Sequence, residues 1–370
     1  MAGATTLKLR RLWLQVHKWI GLLLAVLIIP ISVTGSALVW NEGLDLLLNS
    51  ERNVAGAPAL APSAYADAAR AAIAPYERIA SIRMPEGEGA VLVSAARPLT
   101  EGERRPLRTN VWLHPQTAAV LDTAGSNDGA VRVLHNLHGS LMVPGAGRQI
   151  VGWVGLFMLI SCLTGIWLWW PVTGSVRRGF RWKRQPSFNA NLHHQMGFWV
   201  LIPLAMLSFT GVWISFPQTF GRFEPSPAKA PSGPPRPAQP LAETWLTPDQ
   251  ALAAASRAGG GRLMTVTWPT ERSADWSIGF ARDGVPAEVK VADGTGQATR
   301  QRPAAPETTA RTMRRWHDGT GMGFVWQLII FLGGMIPAAL SVTGILMWWR
   351  SRQWRRRAAR RPVPATAAAE

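Results

Sequence analysis

WIGLLLAVLIIPISVTGSALVW, residues 19–40, contains no charged side chain. At 1.5 Å of rise per residue, a helix of this length spans about 30 Å, the thickness of a bilayer's hydrocarbon core. Three further windows read the same way. No Asp, Glu, Lys or Arg lies between Arg148 and Arg177, between Arg184 and Arg222, or between Asp318 and Arg350. Four membrane-spanning helices follow, at about 19–40, 149–172, 196–217 and 324–349. Trp19, Trp40, Trp169, Trp170, Trp348 and Trp349 near the span ends fit interfacial belts. The first apolar run is longer than a signal peptide's and no small-x-small site follows closely, so it reads as an uncleaved anchor.

The net charge of +17 invites a nucleic-acid reading, and its distribution argues against one. The segment up to Lys18, the loop 173–192 and the tail after Trp349 hold sixteen basic residues against the single acid Glu370. The two long segments between spans are close to charge balance. Basic excess confined to alternate connections is a topology signal. It predicts a membrane protein with both termini cytoplasmic and both long segments external, with lipid and not nucleic acid as its surroundings. The one cysteine, Cys162, lies within the second span, so neither an intrachain disulfide nor a C-x-x-C-H haem attachment is encoded.

The chain reads as a tandem duplication. Aligning His17 with His193 puts Gly21 on Gly197 and Thr34-Gly35 on Thr210-Gly211 without a gap. Aligning His138 with His317 puts Thr164-Gly165 on Thr343-Gly344 and Trp169-Trp170 on Trp348-Trp349. Outside the spans, an Ala-rich helix from Pro62-Ser63 to Ala72 matches one from Thr247-Pro248 to Ala258, with a capping start. A strand at 78–85 matches one at 262–269, and two more strands follow in each copy, near 90–96 and 110–114, and near 275–281 and 287–292. The expected order is therefore a cytoplasmic N-terminus (1–18), first span (19–40), and a small external α+β domain (41–134). A lead-in with the second span (135–172), a basic loop (173–195) and the third span (196–217) come next. A Pro-rich linker with the second α+β domain (218–316), a lead-in with the fourth span (317–349) and a basic tail (350–370) complete it. The linker, 225–240, holds seven prolines and reads as extended.

These residues resemble the PepSY-associated transmembrane proteins. The shared features are the His-x3-Gly start of the odd spans, Leu137-His138 before the second span, and the Thr-Gly then Trp-Trp finish of the even spans. The external segments resemble PepSY domains in the Pro-ending strand and in the hairpin Val291-Ala-Asp293-Gly-Thr-Gly296. The first copy departs from that hairpin, with His114-Pro115-Gln116-Thr117-Ala118 in its place. The family is functionally mixed. The resemblance implies PepSY-like periplasmic domains and includes, among its possibilities, haem b-containing ferric-siderophore reductases of the inner membrane.

Histidines supply the chemistry. His17, His193 and His194 fall at the cytoplasmic face, and His135, His138 and His317 at the external face. The repeat itself pairs His17 with His193 and His138 with His317. A bis-histidine haem needs one imidazole on each side of the porphyrin, which two related helices supply, and histidine is a standard axial ligand to haem iron. Two b haems, one near each face, would make a path for electrons across the membrane. Gly21, Gly197 and Gly321 each follow a ligand by four residues and, if helical there, leave room on its face for a flat macrocycle. The four Thr-Gly pairs read instead as helix-packing positions. His194 aligns with Lys18 and His135 with Arg314, so these two stand as supporting or alternative ligands. Met142 and Met322 could substitute axially at the external pair, and His114 reads as a surface residue.

The reaction expected is reduction of a periplasmic ferric siderophore, which weakens binding by hard oxygen ligands and releases Fe(II). The partners are a quinol or protein electron donor, and a ferric siderophore or periplasmic iron-binding protein. The alternative is a haem-free PepSY membrane protein acting as an accessory factor for a periplasmic protease or iron-uptake complex. A transporter is disfavoured because the span centres hold no acid or base. A hydrolase is disfavoured because neither H-E-x-x-H nor G-x-S-x-G occurs.

Overall fold

The computed structural model describes residues 4–98, 107–170, 176–182, 185–223, 238–282, 285–300 and 308–359. Most of the Pro-rich linker, part of the basic loop and the end of the tail lie outside these residues. In chain order the elements are α1 (Ala4–Ala37), α2 (Asn41–Leu48), α3 (Pro62–Ala72), β1 (Arg78–Arg83), β2 (Val91–Ala96), β3 (Arg108–Leu113) and β4 (Val120–Gly125). Then come α4 (Ala130–Ser140), α5 (Gly147–Trp169), α6 (Phe188–Trp199), α7 (Leu201–Ser215), α8 (Pro217–Phe220) and α9 (Pro248–Ala258). The series ends with β5 (Arg262–Thr267), β6 (Asp275–Arg282), β7 (Val285–Ala292), β8 (Ala298–Arg300), α10 (Thr309–Asp318) and α11 (Gly323–Ala359). The chain divides into two units, one within 1–41, 133–225 and 308–370, the other within 42–132 and 226–307.

The first unit is helical, and its apolar helices make this a membrane protein. Those containing α1, α5 and α11 are each long and apolar enough to cross a bilayer. The third apolar segment is not the single helix expected at 196–217. It is the pair α6–α7, bent by 64°. Pro203 accounts for the break: it has no N–H, and its ring would clash with the carbonyl of Trp199 one turn earlier. Val200 sits at the bend, receiving the amide of Leu204 at 2.8 Å. Pro30 and Pro337, by contrast, lie inside continuous helices. α1 packs against α5 and α11, and α7 against α5 and α11. Leu23, Val26, Leu163, Ile202 and Val325 stand exposed on the outer surface, as side chains that face lipid must. Arginines close helix ends: Arg10 donates to the last carbonyls of α5, including Trp170 at 3.1 Å, and Arg148 donates to Ile214 near the end of α7. Both place a cation where the helix dipole is negative.

The second unit departs from the expectation of two small domains with about three strands each. The two segments contribute four strands apiece to one antiparallel sheet, ordered β4-β3-β2-β1-β5-β6-β7-β8. The join is β1 with β5, where Ile82 faces Val266. Each segment alone would leave its first strand as an open edge, and pairing the two edges satisfies both. β4 and β8, the outer strands, were missed by sequence reading; Val120–Gly125 is half exposed and Ala298–Arg300 is three residues long. α3 and α9 cover one face. Their Ala66, Ala69, Ala251, Ala254 and Ala255 are buried against Ile82, Val93, Val111, Ile278 and Val291. Alanine at these places lets the helices approach the sheet closely, while Tyr65 and Trp276 fill the larger gaps. α9 opens with a capping box between Thr247 and Gln250. α3 lacks a side-chain cap of its own, and the amide of Ser63 is bonded at 3.0 Å by Asp249 of α9.

Two buried carboxylates organise this unit. Asp293, from the hairpin that resembles PepSY domains, accepts the amides of Trp245 and Leu246 at 2.8 and 3.0 Å and the indole N–H of Trp276 at 2.8 Å. That residue is thus structural, tying a loop and a core tryptophan to a turn. Glu77 receives Thr109 at 2.6 Å, Arg97 at 2.7 Å and the amide of Ala74 at 3.1 Å. Burial acts to raise the Glu77 pKa, but these hydrogen bonds and the Arg97 charge outweigh it and hold the carboxyl below its ordinary value.

Candidate functional site

Four of the seven histidines come together as two facing pairs inside the helical unit. His17 of α1 meets His193 of α6 with ring centres 6.4 Å apart and planes at 90°. His138 of α4 meets His317 of α10 with ring centres 5.9 Å apart and planes at 41°. These are the pairs the sequence alignment matched. The fourteen residues from His17 to Ile31, which lies beneath His138, correspond to about 21 Å of helix rise, so the pairs sit at well-separated levels of α1.

The second pair is carried differently from the first. α4 and α10 are short helices that end before the spans begin. α10 stops at Gly319, in the left-handed conformation at φ 76°, and Gly321 follows at φ 70°. Gly321 therefore lies in a turn and does not share a helix face with His317. At the matching turn after α4 the left-handed residues are Leu141 and Met142, at φ 51° and 59°. Side chains rarely adopt this conformation, and the strain is kept where the chain must reverse to hold His138 in place.

Each paired histidine lies over the glycine of a Thr-Gly step on a neighbouring spanning helix, and three of the four are bonded to its threonine. Nδ1 of His17 lies 3.0 Å from Oγ1 of Thr164, that of His193 3.0 Å from Thr343, and that of His317 2.9 Å from Thr210. His138 differs, with Nδ1 bonded at 2.8 Å to the main-chain carbonyl of Ile31. The glycine after each threonine clears the ring edge. A Cβ built on Gly344, Gly165, Gly211 or Gly35 would lie 3.8, 3.4, 3.3 or 2.6 Å from the Cε1 of the histidine above it. Three of the Thr-Gly pairs, expected to serve helix packing, thus meet a histidine with both residues, and the fourth, Thr34-Gly35, meets His138 with its glycine. The available signal was their number and phase: one in each span, as many as the paired histidines.

The remaining expected site residues are not in the pairs. His194 turns away from His193; its Nε2 lies 3.1 Å from the carbonyl of Gly179 and its ring stacks on Trp169 at 5.9 Å. His135 precedes His138 by three residues on α4, and it is His138 that faces His317. Met142 is more than half exposed, in the turn after α4. His114 lies in the β3–β4 hairpin of the other unit, where Nδ1 accepts the amide of Gln116 at 3.2 Å.

The geometry fits two ligands sharing one metal. Metal–imidazole bonds are about 2.0–2.1 Å long and a ring centre lies roughly 1.1 Å behind its nitrogen, so two imidazoles on opposite sides of a metal have centres about 6.3 Å apart. Both pairs fall close to this separation. Nδ1 is taken by the seat in all four, and Nε2 makes no hydrogen bond among the described residues. Among the described residues no cluster of three or more His, Cys, Asp or Glu could cage an ion. Two protein ligands per site suit a group that supplies its own in-plane donors. A Cβ on Gly21 or Gly197, one turn from His17 and His193, would meet nothing within 4 Å. No neighbouring atom crowds that side of His17 and His193, and the paired imidazoles are a donor set that fits haem.

No curated protein matches the chain. A family model, the PepSY-associated TM region, matches residues 14–351, from just before the first histidine of one pair to beyond the last apolar span. With spans, histidine pairs and the sheet-forming segments all inside that match, the chain belongs to the PepSY-associated transmembrane family.

Proposed function

We propose that this protein is a transmembrane electron carrier of the inner membrane, holding two b haems and reducing a ferric siderophore on the periplasmic side. The observation that carries this reading is the presence of two histidine pairs, about 21 Å apart along α1, each with ring centres about 6 Å apart. His17 with His193, and His138 with His317, would hold one haem each, and each haem would supply a one-electron Fe(III)/Fe(II) couple when bound. The protein residues bind and orient these groups within apolar helices that keep water away. In this reading both termini are cytoplasmic, the basic segments lie inside, and the sheet unit is external. Electrons enter from a quinol or a protein donor; a two-electron quinol would release two protons and serve two ferric chelates in turn. Each chelate accepts one electron, and the Fe(II) formed is held less tightly by hard oxygen ligands.

The test is the absorption spectrum of detergent-purified full-length protein, oxidised and dithionite-reduced, with haem counted against protein. Two haems are expected, falling to one in His17→Ala and to one in His138→Ala, with ferric-siderophore reduction lost in both. A colourless protein made with ample haem would overturn the reading and favour the haem-free accessory role.

A further inference from the structure

We infer that Thr164, Thr210 and Thr343 are positioning residues that fix which nitrogen of His17, His317 and His193 carries the proton. The argument starts from the threonine hydroxyl, which has one hydrogen to give. Thr210 donates it to the carbonyl of Met206 at 2.8 Å, Thr343 to those of Ala339 and Leu340 at 3.0 Å, and Thr164 to that of Ser161 at 3.0 Å. A carbonyl can only accept, so the hydroxyl hydrogen is committed to the helix and the oxygen turns its lone pairs to the imidazole. Nδ1 must then bring the proton. A neutral imidazole has only one, which leaves Nε2 bare and available as the ligand. Ser161 lies 3.2 Å from Nδ1 of His17 as a second neighbour. Were Ser161 to donate there, the lone pairs of Thr164 and Nδ1 would face each other at 3.0 Å, so Nδ1 remains the donor.

His138 reaches the same state by another route. Its partner, the carbonyl of Ile31, is an obligate acceptor. Thr34, at the position matching Thr210, makes the same kind of bond, to the carbonyl of Pro30 at 2.6 Å, but makes no hydrogen bond to the ring among the described residues. The molecule thus contains its own control: three threonines set a histidine, and the fourth, at the matching place, does not. The inference rests on the proposed function for the identity of the ligand, but the state of the nitrogens can be measured without one.

The test uses full-length protein labelled with ¹⁵N-histidine in detergent micelles, haem-free and haem-loaded. In the haem-free wild type the imidazole ¹⁵N shifts of the four paired histidines should show Nδ1 protonated and Nε2 bare. Thr210→Val or Thr343→Val should give the partner histidine a mixture of both forms, and Thr210→Ser should restore the single form. Loss of an outer hydrogen-bonding partner weakens metal retention about 10–100-fold, so the loaded Thr210→Val protein should release haem that much more readily and its centre should be reduced at higher potential. Thr34→Val should leave both readouts unchanged. Nε2-protonated histidines in the wild type, or equal effects of Thr34→Val and Thr210→Val, would overturn the inference. A wild type that takes up no haem sinks the proposed function, while these spectra still decide the nitrogen assignment.

Discussion

His138 lies directly over Gly35, so closely that a methyl group there would come within 2.6 Å of the ring's Cε1 and 2.8 Å of Nδ1. The same step beneath His193 is looser, with 3.8 Å between a Cβ on Gly344 and the ring. Gly35→Ala should therefore displace His138 and, under the proposed function, lose one haem of two, whereas Gly344→Ala should keep both. Haem-to-protein ratios of the two variants, purified side by side, check this graded expectation. Equal ratios would mean that the glycines serve the helices rather than the histidines.

Pro203 produces the 64° bend that directs α6, and with it His193, separately from α7. Alanine restores an N–H able to bond the carbonyl of Trp199 and favours a continuous helix. Pro203→Ala should pull His193 from Thr343 and, under the proposed function, lower haem content from two toward one with the His138–His317 centre spectrally intact. Loss of both centres would point to a general packing defect.

Asp293 is 3% exposed and holds three N–H groups that have no other partner shown. Asp293→Ala leaves the buried indole N–H of Trp276 and the part-buried amides of Trp245 and Leu246 without this acceptor, at a cost of about 1–3 kcal/mol. Hydrogen exchange of the β6 and β7 amides in the full-length protein should accelerate strongly, while the apolar helices keep their protection. Unchanged exchange in β6 would show that another acceptor replaces the carboxylate.

Glu77 makes the stability of the sheet unit depend on acid. Its carboxyl titrates below its ordinary value in the folded state, so its contribution is complete above the unfolded pKa of about 4.3 and disappears as pH falls through the folded one. Exchange protection in β3 should be flat from neutral pH to about pH 5, then decline. Glu77→Gln should lower protection at neutral pH and weaken that acid dependence. A parallel profile in the variant would move the cause to other carboxylates.

The apolar windows and the four matched histidines were legible in the sequence because both rest on local facts. A charge-free run long enough to cross lipid constrains its own environment; α9 follows from its cap, α3 from an Ala-rich run opened by proline, and β1 and β5 from alternation and a terminal proline. What lay beyond the sequence depended on groups distant along the chain. Whether the two external segments stand apart or share a sheet is decided by the edges of β1 and β5, and an unpaired edge leaves no mark in its own residues. The break at Val200 was hidden because Pro203 resembles Pro30 and Pro337, which stay within continuous helices. The choice of His193 over His194 is made by Thr343, 150 residues away, and the role of the Thr-Gly steps by rings that approach from other helices. Periodicity and charge act along the chain and can be read from it. A ring seated on a neighbouring helix is set by packing in three dimensions, and only the tertiary structure decided it.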